Sequence, residues 1–185
     1  MTLIHNAVPG FCPVPIAVGD YASDPNFHFY LSSFVDMTDE VAELETLPAK
    51  LAELHTKAIS PNGKFGFPVP TNQGPMTQPN TWTSSWEKAF TEIMKNLLGF
   101  ELDVHGPDKE MEELSKDTLE KTIPRLLRPL ETGGRDIQPR LVHSDLWDGN
   151  TSTNAETAQP IIFDASSTYA HNECESTTYE SNTIR

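Results

Sequence analysis

Basic residues are scarce in this chain: 13 Lys and Arg stand against 27 Asp and Glu, a formal net charge of −14. Binding nucleic acid requires clustered Lys and Arg to neutralise phosphates, so this balance argues against such a partner and against an anionic membrane surface. Cysteine is nearly absent, and Cys12 and Cys174 form neither a C-x-x-C pair nor a disulfide framework. Histidines are scattered without an H-E-x-x-H pair, which leaves no zinc signature. No apolar run approaches the roughly 20 residues that cross a bilayer. The opening Met-Thr-Leu-Ile-His-Asn lacks the basic and apolar regions of a signal peptide. No internal repeat is present. These absences predict a reducing, cytoplasmic setting and no membrane partner. With 185 residues, the chain is long enough for one domain with a sizeable core.

The most informative stretch is Leu141-Val-His-Ser-Asp-Leu-Trp-Asp-Gly-Asn150, followed by Ile161-Ile-Phe-Asp164. His143-x-Asp145 with Asn150 five residues on has the form of a kinase catalytic loop, in which the Asp accepts the proton of the attacking hydroxyl and the Asn holds a metal ion. Asp164, after a short apolar run, stands where a second metal-holding acid belongs. A transferring phosphoryl group carries charge on three oxygens, and Mg²⁺ suits an Asn carbonyl and an Asp carboxylate as hard oxygen ligands. Asp145 must stay ionised and face the substrate. The competing reading is a surface turn, since Asp, Asn and Gly are common turn residues. The strand-like Leu141-Val142 and the strand Pro160–Phe163 at hairpin distance supply the context a motif needs. His143 is expected to support the loop by hydrogen bonding, and His55 to be a packing residue.

Along the chain, 14–19 and 27–35 read as the strands of a hairpin, with Tyr21–Asn26 as its turn and Asp36-Met37 at its end. Leu47, Leu51, Leu54 and Ala58 recur at helical spacing behind a Thr46 cap. Residues 61–83 read as one long loop, of a length that is often functional. Ser84-x-x-Glu87 reads as a capping box for a helix stopped by Gly99. A further helical stretch from about Asp108 to Leu130 is interrupted at Pro124. The acid clusters Asp39–Glu45 and Asp103–Asp117 read as solvated helix faces. From Glu173 on, the polar, aperiodic tail reads as frayed or disordered, with the tail proper assigned to 174–185.

Several pieces in one order resemble the ketosamine kinases, the fructosamine and protein-ribulosamine 3-kinases. They are Leu51-Ala-Glu-Leu-His55, Gly63-Lys-Phe-Gly-Phe67, Asn80-Thr-Trp82 with Trp86, the Asp145-Leu-Trp-Asp-Gly-Asn150 loop, Ile162-Phe-Asp-Ala165 and Tyr169-Ala-His-Asn-Glu173. The resemblance implies an α+β, protein-kinase-like fold of the aminoglycoside-phosphotransferase type. Residues 1–37 would be a remnant of the small lobe with the hinge hairpin, and 38–173 the helical large lobe with the catalytic loop. It implies ATP- and Mg²⁺-dependent phosphorylation of the C3 hydroxyl of a ketosamine, free or on a glycated protein lysine, whose product decomposes and frees the amine. By position, Asp145 would be the proton acceptor, Asn150 and Asp164 would hold Mg²⁺, and Ser33, Phe34 and Val35 would meet adenine. Trp82, Trp86 and Trp147 fall where the sugar-amine pocket is expected, although Trp86, at helical spacing, also reads as core.

The chain departs from the family in three places. No glycine-rich loop precedes the hairpin and no Lys precedes Lys50, so the phosphate-positioning Lys has no counterpart. The family's later large-lobe helices are replaced by the short polar tail. Ser144 stands where the family usually has Gly. The chain therefore reads as a partial one, and little activity is expected of it alone. A catalytically inactive family member, or a related kinase of aminoglycoside or choline type, is the alternative.

Overall fold

The computed structural model describes residues 1–38 and 46–175. In chain order the first elements are α1 (Thr2–Ala7), β1 (Pro15–Tyr21), β2 (Asp24–Ser32), β3 (Met37–Thr38) and α2 (Thr46–Lys57). Then come β4 (Asn72–Gln73), β5 (Met76–Thr77), α3 (Trp86–His105), α4 (Lys109–Asp117), a π-helical turn (Thr118–Thr122) and α5 (Ile123–Leu127). A 3-10 turn (Arg128–Glu131), β6 (Arg140–Val142), a second 3-10 turn (Asp148–Asn150), β7 (Thr151–Asn154), β8 (Pro160–Ile162), β9 (Thr168–Ala170) and a last 3-10 turn (Asn172–Glu175) complete the order. Helix and antiparallel sheet are thus mixed, as the sequence predicts. No helix among the described residues is long and apolar enough to cross a membrane.

The elements fall into two compact units. The first comprises residues 1–58, 143–165 and the described end of the chain at Glu175. Its core gathers Ile4, Val8, Phe11, Leu47, Leu54, Leu146, Ile161 and Ile162, all but removed from solvent. A three-stranded antiparallel sheet, ordered β3-β7-β8, lies in it. Ile162 N donates to the Phe11 carbonyl at 2.9 Å, tying the segment after α1 to β8. Ser152 Oγ donates to the Thr38 carbonyl at 2.7 Å, so even the short β3 is held by a side chain as well as its ladder. Cys12 is a free thiol in this core; burial pushes its pKa up to about 11, which keeps it protonated and unreactive.

The second unit comprises 59–142 and 166–174. Strands β6 and β9 pair antiparallel, Leu141 opposite Tyr169. Phe65, Trp86, Val142 and Ala170 form its core, with Phe90, Ile137 and Cys174 packed against them. Trp86 is therefore a core residue. Gly66 has φ +122°, and a Cβ there would come within 2.8 Å of the Asn80 carbonyl, which is why the Phe65-Gly66-Phe67 stretch needs glycine at its centre. Glu131 accepts hydrogen bonds at the start of α3 from Ser85 Oγ, Trp86 N and Glu87 N. Arg128 grips Glu87 through two bonds of 2.8 and 2.6 Å, and α3 is thereby pinned to the turn after α5.

Several sequence expectations are corrected. The first hairpin strand is one residue longer than read, the second is shifted three residues earlier and ends at Ser32, and the turn is shorter, since Tyr21 pairs with Asp24. The cap of α3 is Ser85, whose Oγ accepts from Lys88 N at 3.2 Å, and Glu87 is spent on Arg128 rather than on a capping box. Gly99 does not stop α3; Gly106, at φ +81°, does. The 61–83 segment contains the small β4–β5 hairpin. Pro124 does not interrupt the helical stretch: α4, the π turn and α5 follow one another without a gap from Lys109 to Leu127. The π turn just ahead of it absorbs the misfit. The expected hairpin of 141–142 with 160–163 is absent: β6 pairs with β9, and β8 pairs with β7. Cys174 and Glu175 belong to an ordered 3-10 turn rather than to a frayed tail. Of the two acid clusters, 103–117 is solvent-exposed as expected at its acids Asp103, Asp108, Glu110, Glu112, Glu113 and Asp117, while 39–45 lies outside the described residues, as does the tail from 176.

Candidate active site

Asp145, Asn150 and Asp164 all lie in the first unit, on two segments stitched together by the backbone. Strand β6 leads the chain into His143. The loop then closes into the Asp148–Asn150 turn, with Asn150 N donating to the Trp147 carbonyl at 2.9 Å. Strand β8 runs outward and ends on Phe163-Asp164. Phe163 N donates to the Asn150 carbonyl at 3.1 Å, which sets residue 164 beside residue 150. From the other side, His143 Nε2 lies 2.8 Å from the Phe163 carbonyl.

That bond fixes the state of His143. A carbonyl only accepts, so Nε2 carries the proton, and Nδ1 is left to accept from Asp145 N at 3.3 Å. One neutral imidazole satisfies both bonds. Burial also pushes its pKa below the ordinary value, with Glu175 and the Phe163 carbonyl opposing. His143 is thus a bridge in the loop, held neutral, and not a proton carrier.

Asn150 Nδ2 donates to the Asp145 carbonyl at 2.7 Å and to Asp145 Oδ2 at 3.2 Å. Both donors of the amide are turned toward Asp145, which leaves Asn150 Oδ1 as an acceptor for another group. Burial pushes the Asp145 carboxyl above its ordinary pKa. His143 and the Asn150 amide pull it back, and the neighbouring Asp164 carboxylate pushes it up again. A carboxylate made more basic in this way is better suited to accept a proton.

Two residues of the site stand in left-handed backbone: Ser144 at φ +70° and Asp164 at φ +57°. Each costs about 1–2 kcal/mol for a side chain other than glycine. Ser144 directly precedes one carboxylate and Asp164 bears the other; Asp164 is exposed while Asp145 is half-buried. Among the described residues no group of three His, Cys, Asp or Glu is placed to hold a metal ion. An Asn oxygen with one carboxylate is instead a donor set for a hard ion that completes its shell with phosphate oxygens and water.

Ser33, Phe34 and Val35 follow β2. Ser33 extends the hairpin ladder, its N–H donating to the Val14 carbonyl at 2.9 Å and its Oγ accepting from Val14 N at 2.9 Å. Phe34 is 91% exposed. Among the described residues no hydrogen bond joins these three to the Asp145 loop. Trp147 lies over Gly149, where a Cβ would meet the indole at 2.4 Å. Trp82 stacks on Tyr169 in the second unit.

Sequence reasoning missed Glu175. It is 3% exposed, and its carboxylate accepts from His143 N at 2.5 Å and from Ser144 N at 2.9 Å. His55 Nε2 of α2 lies 3.5 Å from the same group, so this packing residue also faces the buried carboxylate. A polar tail offers no periodicity from which a buried acid could be picked out.

Comparison with known proteins gives a consistent picture. The sequence model of the fructosamine kinase family matches residues 1–181. A chloroplastic protein-ribulosamine 3-kinase of Oryza sativa subsp. indica is 31% identical over 166 residues, 88% of this chain and 45% of that protein. A ketosamine-3-kinase of Mus musculus is 32% identical over 159 residues, 79% of this chain and 49% of that protein. The chain spans about half the length of these relatives. A crystal structure from Thermobifida fusca, of a candidate fructosamine-3-kinase, superposes with a TM-score of 0.67 at 22% identity, over 96% of this chain and 57% of that one. At that identity the likeness shows the fold.

Proposed function

The chain belongs to the fructosamine kinase family, and on that premise we propose that it carries the phosphoryl-transfer centre of an ATP-dependent ketosamine 3-kinase. Its substrate would be a ribulosamine or fructosamine, free or on a glycated protein lysine, and decomposition of the 3-phosphate would release the amine. The observation that carries this reading is the joining of Asp145, Asn150 and Asp164 by the Asn150 amide and the Phe163–Asn150 backbone bond.

In this reading Asp145 accepts the proton of the C3 hydroxyl as its oxygen bonds to the γ-phosphorus and the bond to ADP breaks. General-base assistance of this kind contributes about 10²- to 10⁴-fold. Asn150 Oδ1 and the Asp164 carboxylate would hold Mg²⁺, which neutralises phosphate charge when bound. Ser33, Phe34 and Val35 would offer backbone to adenine, and Trp147 would flank the sugar. Trp86 has no such role, being core. Residues 1–37 would correspond to part of a small lobe and 38–173 to the large lobe.

The test is transfer from ATP–Mg²⁺ to a ribulosamine-modified lysine, with Asp145→Asn as control. Turnover that falls about 10²-fold or more in the control supports the assignment. Because burial and Asp164 disfavour the charged form of Asp145, the neutral replacement is expected to fold at least as stably. Equal turnover in both proteins removes Asp145 as the base, and no turnover in folded protein overturns the reading for this polypeptide.

A further inference from the structure

The longest helix of the second unit ends in an open groove. Helix α3 buries Trp86 at its start, but Phe100, Leu102 and Val104 near its end are exposed, and α4 has no buried residue. On α3, Leu98, Glu101, Leu102 and His105 stand at i, i+3, i+4 and i+7, so they share one face. Beyond Gly106, at φ +81°, α4 and the π turn bring Met111, Leu114 and Leu119 to the same groove. Its volume is about 740 Å³, and these leucines and the methionine form an apolar floor. Met111 is 45% and Leu114 58% exposed, so the floor is open to water. Gly99 lies in it, and a Cβ there would meet no atom within 4 Å. A glycine inside a helix weakens it, and here it leaves an empty slot between apolar neighbours. The rim is acidic, with Glu101, Glu110, Glu112 and Glu120. From Leu98 to Glu120, eight acids stand against two lysines. The nearby Lys109 and Lys121 pair with Glu113 and Asp117, and among the described residues no ion pair involves Glu110, Glu112 or Glu120.

We propose that the α3–α4 groove docks a cationic amphipathic helix of a partner protein. Apolar side chains of that helix at i, i+3 or i+4, and i+7 would lie on the floor, one of them in the Gly99 slot. Its flanking Lys and Arg would meet the acids of the rim. Helix-in-groove recognition is read through anchors at this spacing. Charge complementarity selects the occupant. A second copy of this chain, at a net charge of −14, would bring like charge to the rim, and an anionic bilayer would be repelled in the same way. Basic flanks speed encounter and set specificity, while covering the apolar floor supplies the affinity. The inference rests on α3, α4 and the π turn alone, and phosphoryl transfer plays no part in it.

The experiment titrates the full chain, labelled for NMR, with a synthetic peptide of about four helical turns, roughly 14 residues, bearing Leu on one face and Lys and Arg on the others. One control peptide has the same residues scrambled out of helical register. The other has Glu in place of every Lys and Arg. The cationic helix is expected to shift amides within 98–120 and to bind at least about 10-fold more tightly than either control. Its affinity should fall as salt is raised. Gly99→Leu fills the slot and should weaken binding about 10-fold or more without lowering Tm, since leucine is the better helix former. Met111→Glu, at a side chain already in water, should give the same loss and serves should the first variant not fold. No binding of the cationic helix, or shifts that leave 98–120 unmoved, would overturn the proposal. Equal binding of the scrambled peptide would show attraction by net charge alone and overturn it too. A dimer seen by sedimentation and abolished by Gly99→Leu would give this face to a second copy instead.

Discussion

Two hairpins of the first unit are built on opposite principles. Strands β1 and β2 are seven and nine residues long, yet their apolar side chains face water: Val18 is 79% exposed, and Ile16, Phe27, Tyr30 and Leu31 are also exposed. What holds them is each other. The Phe29 ring covers Gly19 across the ladder and meets Tyr21 edge-on at 5.7 Å. Strands β7 and β8 are four and three residues long, and all of β8 is buried. They are held by the core beneath them, through Ile161, Ile162 and the bond to Phe11. The candidate site sits on the second kind. Asn150 immediately precedes β7 and Asp164 follows β8 by one residue, so a short strand in a packed core sets the two metal-ligand candidates more firmly than a long ladder in water could.

The sharpest way to break this contrast is to empty the core under β8. Ile162→Ala is expected to cost about 2–5 kcal/mol in a urea titration. A loss below about 1 kcal/mol would mean that β8 is held by its ladder after all. Next comes acid. The buried His143 has a native pKa below its unfolded value, so below about pH 6.5 the unfolded chain binds more protons than the folded one. Stability should therefore be complete above that value and fall as pH drops through the window down to the native pKa. His143→Gln should flatten that dependence in a thermal-melt series, since the group that titrates differently in the two states is gone. A profile as steep in His143→Gln as in the wild type would reverse the assignment. The smallest effect is expected at Val18→Thr, within about 0.5 kcal/mol, since the side chain already lies in water. A cost comparable to that of Ile162→Ala would show that this face is covered in solution.

The same contrast governs what could be read from the sequence. The long hairpin is rich in aromatic and β-branched residues and stands out by composition, although its Asp-Pro-Asn segment reads as turn and lies in β2. Strand β7 reads Thr-Ser-Thr-Asn, a turn composition, and becomes a strand only because β8 and β3 lie on either side of it. Asp145, Asn150 and Asp164 were legible because their spacing follows from the chemistry they would perform, and the structure brings the three together. Glu175 was not, because its partners are backbone amides some 31 and 32 positions away, and nothing local distinguishes a buried carboxylate from a solvated one. Gly99 misled because a single glycine inside a helix costs only about 1 kcal/mol, which the twenty residues of α3 absorb.

The indole over Gly149 has a use of its own. Trp147 is 48% exposed and sits three residues from Asn150, with its ring where a side chain at Gly149 would be. Of the two other tryptophans, Trp86 is sealed in a core and Trp82 is stacked on Tyr169. Excitation at the red edge therefore addresses, above all, one half-wet fluorophore beside the Asp145 loop over a steadier background. Whatever settles beside Asn150 changes the water around that ring, and the protein carries its own optical gauge of occupancy, readable by titration without label or turnover.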